Sequence, residues 1–170
     1  MNRLIKYTTK EINNYKEGKV TIANNKEDLI KFVNNVSKKD SKSKIYLGKI
    51  DTITACKIKK DTGINIENYN LSLKKDAIKH ILNNHSSEKE ILRGQIPIEM
   101  EDFLKIERII LTADKIILSG KTKQGKPIIV FKKRIKETYI LVSCVSDKRY
   151  NLEIKTMFKQ KKNFATGDDI

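Results

Sequence analysis

The sequence predicts an α+β fold, N-terminal helices followed by a four-stranded antiparallel sheet, on three observations. Apolar residues recur at helical spacing in two early stretches, Leu29 to Val36 and Ala77 to Leu82. From Asp114 onward the pattern changes to four runs rich in β-branched and aromatic residues. The joints between those runs hold turn-compatible pairs, Gln124-Gly125, Lys136-Glu137 and Asp147-Lys148, and strands joined by tight turns pair antiparallel. Helices first and sheet after is the α+β order.

Taken along the chain, Lys6 to Val36 reads as helical. Ile5, Ile12 and Tyr15 form a first helix that Gly18 ends, and Asn25 caps a second with Leu29, Ile30, Phe32, Val33 and Val36 on its apolar side. The polar, lysine-rich run Ser37 to Lys44 reads as a linker. The expected division is therefore a helical extension and linker over 1–43, a main domain over 44–164 and a tail over 165–170. Ile45 to Gly48 and Ile50 to Ile58 read as short strands, and Asp61 to Asn65 as a turn. A short amphipathic helix follows with Leu73, Ala77, Ile78, Ile81 and Leu82 on one face, and Asn83-Asn84 as its stop signal. Glu99 to Ile106 has the spacing of another short helix, with Met100, Phe103 and Leu104 inward. The four strands are then Lys115 to Lys121, Pro127 to Ile135, Thr138 to Val145 and Tyr150 to Phe158. On the last, strict alternation puts Tyr150, Leu152, Ile154, Thr156 and Phe158 toward the core and Met157 outward. Isolated glycines, Gly48 and Gly63 among them, read as turn residues.

Thirty-six Lys and Arg against 21 Asp and Glu leave a formal charge of +15 on 170 residues. Such a charge favours a polyanion as partner, RNA or DNA first. No run reaches transmembrane length and no signal-peptide core follows Met1, so a cytoplasmic setting with no membrane is expected. Cys56 and Cys144 lack metal-ligand spacing and are expected to be free thiols. No phosphate-binding glycine loop, zinc motif or nucleophile elbow is present. The carboxylates are dispersed, so neither a metal cluster nor a cofactor is expected.

What remains for chemistry is imidazole, hydroxyl and cationic groups. His80 and His85 are the only two histidines. Five residues apart, they are rotated by about 140° around a regular helix, so both face one site only if the helix stops before His85. Thr156 is a polar residue in an apolar strand row; Ser143 is another, and there a hydroxyl satisfied by a neighbouring carbonyl is the plainer reading. Lys132, Lys133 and Arg134 on the second strand and Lys155 on the last belong to a basic surface suited to a phosphate backbone. These groups suffice to cleave RNA: one takes the proton of the ribose 2′-OH, a second protonates the 5′-oxygen, and a cation stabilises the phosphorane.

The ordered set YLGKI, DTGINI, LKKDAIKHILNNH, RGQIPIEMEDF, ERIILTADKIIL and a meander closing in LEIKTMFK resembles the phage-associated branch of the barnase–EndoU–colicin E5/D–RelE-like nucleases, over roughly Lys44 to Phe164. The resemblance implies a metal-independent ribonuclease on a helix-packed four-stranded sheet. It implies His80 and His85 for proton transfer, Arg93 with Gln95 beside it for phosphate, and Thr156 for orienting the scissile phosphate or the base. Lys132, Lys133, Arg134 and Lys155 are expected to bind RNA. The expected role is a toxin or phage or mobile-element effector acting on RNA, tRNA among its targets, with an acidic immunity protein or inhibitor as partner. Two alternatives are a non-catalytic basic nucleic-acid-binding module and a structural protein of a phage or mobile element.

Overall fold

The computed structural model describes residues 4–7, 20–36, 43–86 and 88–161. The expected first helix around Ile12 and Tyr15, most of the linker and the 165–170 tail lie outside those residues. The described elements alternate: β1 (Val20–Ile22), α1 (Lys26–Asn34), β2 (Lys44–Lys49), α2 (Thr52–Thr62), β3 (Asn70–Lys74), α3 (Lys75–His85), α4 (Glu88–Leu92), β4 (Gln95–Ile96) and α5 (Ile106–Leu111). Then follow β5 (Lys115–Lys121), β6 (Pro127–Arg134), β7 (Thr138–Ser146) and β8 (Asn151–Gln160). Short 3-10 helices occupy Met100–Lys105 and Asp147–Arg149.

This corrects the expected α+β layout of helices followed by a four-stranded antiparallel sheet. The sheet has eight strands, in the order β1-β2-β3-β8-β7-β6-β5 with β4 also on β8, and helices are interspersed among them. It is mixed: β1 with β2 and β3 with β8 are parallel, the rest antiparallel. The meander β5 to β8 forms as its alternation and turns dictate, but it is only half of the sheet. Ile50 to Ile58 is also corrected, from strand to helix. Its Thr- and Ile-rich run has strand propensity, yet the ends decide. The Asp51 side chain accepts from Thr54 N–H at 2.7 Å, and Gly63 closes the helix in the left-handed region at φ 78. Gly48 is no turn residue either. It lies in β2, and a Cβ there would come within 2.8 Å of Leu4 Cβ, so its bareness lets the chain at Ile5 bridge Lys49.

α1 forms where expected, with the Asn25 side chain accepting from Asp28 N–H at 2.9 Å and Leu29, Phe32 and Val33 buried. One hydrophobic core joins these residues to Ile78 and Ile81 of α3, Phe103, Ile109 of α5 and the inward rows of the sheet. Both cysteines are free thiols, Cys56 exposed and Cys144 buried. Burial pushes the Cys144 thiol pKa up.

The centre of the molecule is β8. Its first half pairs in parallel with β3, from Asn70↔Asn151 to Leu73↔Ile154. The chain then leaves β3 directly into α3, which packs against β8 and ends at Phe158. β4 takes up the last residues, Gln95↔Gln160 and Ile96↔Lys159. α3 thus fills the place beside β8 between β3 and β4. On the other side, the register against β7 slips from Ser143↔Ile154 to Val142↔Thr156, leaving Lys155 as the extra residue of a β-bulge. The bulge reverses the alternation expected for this strand. Leu152 and Ile154 face the core before it, and Met157 and Lys159 face the core after it. Thr156 and Phe158 are turned to the opposite face, and Tyr150 lies outside the strand, exposed.

Candidate active site

α3 carries both histidines. Its length is set by burial of Ala77, Ile78 and Ile81 on one side, and His85 is its last residue. The rings nevertheless meet, edge to face with centroids 5.8 Å apart. The condition that the helix stop before His85 is therefore not needed: imidazole reach spans the difference in angle. The ring of His85 also stacks on Phe158, at 5.5 Å and 29° between planes. The bulge at Lys155 makes that stack by turning Phe158 to this face.

Behind His85 lies Glu90, from the short helix α4, with no exposed surface. One carboxylate oxygen accepts from His85 Nδ1 at 3.0 Å and the other from Arg93 Nη1 at 3.2 Å. A carboxylate only accepts, so the hydrogen of a neutral His85 sits on Nδ1 and Nε2 carries a free lone pair. His80 is arranged in the opposite sense. Its Nδ1 lies 3.1 Å from the Asn84 amide nitrogen, a donor that also reaches the His80 carbonyl at 3.0 Å, so the His80 hydrogen sits on Nε2. One imidazole presents an acceptor and its neighbour a donor. Arg93 is 64% exposed and keeps further N–H donors for a ligand.

Two buried polar atoms share this end of the sheet: Thr156 Oγ1 and Gln95 Oε1 have no hydrogen-bond partner. Gln95 pairs with Gln160, two residues beyond Phe158 on the same face, and Thr156 stands two residues before it. Across the strands one row runs Phe158, Ile140, Lys132, and the next runs Gln160, Thr138, Arg134. Lys132 and Arg134 therefore share the face of His85 and Thr156. Lys133, between them, points to the other face, where it pairs with Asp114 at 2.8 Å. Lys155, at the bulge, is paired with Glu153, which also holds Lys74 at 2.9 Å. Burial alone would raise the Glu153 pKa, but the two lysines win and hold it low. Ser143 donates to the Ile129 carbonyl at 2.9 Å, the plain reading of its hydroxyl.

Two acidic residues of this region were not among the expected site residues, although Asp102 stands in the RGQIPIEMEDF segment of the resemblance. Glu90 is one. The other is Asp102, on the core side of the same strand end, 1% exposed. It accepts from Lys105 Nζ at 2.8 Å, Tyr139 Oη at 2.6 Å, Lys159 Nζ at 2.6 Å and Glu99 N–H at 2.8 Å. Burial opposes its charge, yet these donors bring its pKa down to about 2. Burial and the bond to Asp102 push the Tyr139 hydroxyl up to about 12. The spacing Glu99-x-x-Asp102 is a capping-box signature that could have marked the second of the two. Among the described residues no group of three His, Cys, Asp or Glu side chains is placed to hold a metal ion, and no helix is long and apolar enough to cross a membrane.

Paired imidazoles of opposite hydrogen polarity, an exposed guanidinium, and Lys132 and Arg134 on the same sheet face are equipment for moving protons at a phosphate. Residues 48–165 match the model of the phage-Barnase-EndoU-ColicinE5/D-RelE like nuclease3 family, and the chain belongs to that family of nucleases. Searches of curated proteins and of solved structures return no match.

Proposed function

We propose that this domain is a metal-independent endoribonuclease, acting as a toxin or effector of a phage or mobile element, with tRNA among its targets. The observation that carries the reading is the Glu90–His85 pair. Glu90 fixes the ring through Nδ1 and leaves Nε2 as a base, and its charge stabilises the imidazolium that forms. His85 takes the proton of the ribose 2′-OH, and the 2′-oxygen bonds to phosphorus. The P–O5′ bond breaks and the 5′-oxygen takes a proton from His80 in its imidazolium form, toward which the Asn84 side chain turns its amide oxygen. Solvent exchanges protons afterwards, so that His85 loses the one it took and His80 regains the one it gave. The products are a 2′,3′-cyclic phosphate and a 5′-hydroxyl. Arg93 and Lys132 stabilise the negative charge of the phosphorane, and Arg134 and Lys155 contact neighbouring phosphates. Thr156 and Gln95, with unpaired polar atoms at the same end of the sheet, orient the scissile phosphate and the adjoining base. Lys133, turned to the other face, has no part in this. A producing cell would be protected by an acidic inhibitor that covers the basic face.

The test is incubation of the purified protein with total RNA in EDTA, beside a His80→Ala/His85→Ala variant, with fragment ends mapped. Discrete fragments from the wild type alone, ending in 2′,3′-cyclic phosphate, are expected. Intact RNA with a salt-sensitive mobility shift would replace the enzyme by a binding module.

A further inference from the structure

We infer that the turn between β7 and β8 is a second RNA contact: a stacking platform for a nucleobase, built on Tyr150 and flanked by Lys148 and Arg149. The inference rests on the ribonuclease reading and extends it to the length of the substrate. Tyr150 ends the 3-10 turn Asp147–Arg149 in the left-handed region, at φ 45 and ψ 54. An aromatic residue is rarely found there, and glycine or asparagine would hold the same turn without the steric cost. Nor does the core need the ring, which is 67% exposed. Outliers of this kind gather at functional sites.

The ring is nevertheless held in place. Tyr69 meets it edge to face, centroids 5.6 Å apart and planes at 82°. Tyr69 Oη donates to Asp147 Oδ1 at 2.9 Å, and burial together with that contact pushes the Tyr69 pKa up to about 12, so it stays a donor. The backbone of Tyr150 is tied at both ends: its N–H donates to the Asp147 carbonyl at 3.1 Å, and its carbonyl accepts from Asn70 N–H at 2.8 Å. Lys148 and Arg149 are exposed on the same turn. A preoriented, solvent-facing ring beside two cations is what stacking of a single strand requires: a π-face for any base and positive charge for its phosphates. The chain's formal charge of +15 favours a nucleic acid over a neutral partner.

The place of the platform gives the substrate its length. Tyr150 precedes the first residue of β8, and His85 stacks near its end, on Phe158. At the strand rise the two are separated by roughly 25 Å. A dinucleotide cannot touch both, so Tyr150 acts only on RNA several nucleotides long.

The test uses a fluorescein-labelled oligouridine about 15 nucleotides long, titrated at low salt into the His85→Ala protein with and without Tyr150→Gly or Tyr150→Phe. Tyr150→Gly is expected to weaken binding about tenfold or more, while its melting temperature holds, because glycine suits the turn. Tyr150→Phe should bind as its parent does. With His85 restored, cleavage of a dinucleotide should not change in Tyr150→Gly. Unchanged affinity in Tyr150→Gly, or a fall in melting temperature with no loss of binding, overturns the platform. If the wild type cleaves no RNA yet binding still depends on Tyr150, the ribonuclease reading fails and the platform stands. If cleavage is intact and Tyr150 is neutral, the platform alone falls.

Discussion

Two carboxylates lie buried by the last residues of β8, and the protein treats them in opposite ways. Asp102 is closed on every side, by Lys105, Lys159, Tyr139 and the Glu99 N–H. Glu90 is buried as deeply, and its partners among the described residues are the His85 ring and one nitrogen of Arg93, whose guanidinium reaches out to solvent. Phe158 and Lys159 are neighbours in β8 that point to opposite faces, the first carrying the histidine stack and the second the Asp102 network. A carboxylate saturated by four donors of the protein is spent on fixing the scaffold. One whose partners extend outward passes its charge to groups that can meet a ligand.

The comparison breaks first at Asp102. Asp102→Asn leaves the ammonium of Lys159, 5% exposed, without its counter-charge, and removing one partner of a buried pair costs about 3–5 kcal/mol. Denaturant unfolding should register this as a lower midpoint. The wild type should also carry an acid limb that the variant lacks. The folded pKa of Asp102 lies below the ordinary carboxylate range, so its stabilisation is complete above that range and is lost as pH falls toward about 2. A variant that unfolds at the wild-type midpoint and with the wild-type acid limb would show that the network contributes nothing.

Glu90→Gln is expected to do the reverse, costing activity more than stability. Glutamine keeps the size and an acceptor, but it removes the charge that favours an imidazolium and can present its amide to Nδ1 instead. A fall in kcat of about 100-fold, with KM nearly unchanged, is expected from the loss of general-base function. The readout that a merely structural role would not move is the His85 tautomer. Long-range nitrogen–proton NMR should find the ring hydrogen on Nδ1 in the wild type and distributed over both nitrogens in the variant. An unchanged tautomer and kcat would reduce Glu90 to a second Asp102.

What could be read from the sequence follows from the range of the interactions. β5 and β6 appear nearly to the residue because alternation and turns are local signals, and Asn25 marks the start of α1 for the same reason. α2 was hidden by its Thr and Ile content although both caps, Asp51 and Gly63, stood in the sequence. The parallel pairing of β3 with β8 joins segments about 80 residues apart, and no local pattern announces it. Neither does the bulge at Lys155, and that single extra residue exchanges Met157 for Thr156 in the core. The histidines and Thr156 could be picked out as candidates because they are unusual residues in their runs. Glu90 could not, since its meaning comes from burial beside His85 and Arg93 rather than from its neighbours in the chain.

The smallest change sharpens the comparison most. Thr156 Oγ1 is buried without a partner, and a polar atom so placed costs about 1–3 kcal/mol. Valine has the same shape without the hydroxyl. If the threonine serves the fold, Thr156→Val should lower stability and activity together. If it serves a ligand, the valine protein should melt higher, by about 1 kcal/mol of stability, and cleave RNA more slowly. Thr156→Ser, which keeps the hydroxyl, should restore cleavage and lose the added stability. Opposite movement of melting temperature and rate would place Thr156 with Glu90, among residues that serve the site rather than the scaffold. Parallel movement would place it with Asp102, and the face of β8 that holds the histidines would then contribute only their rings and the lysines beside them.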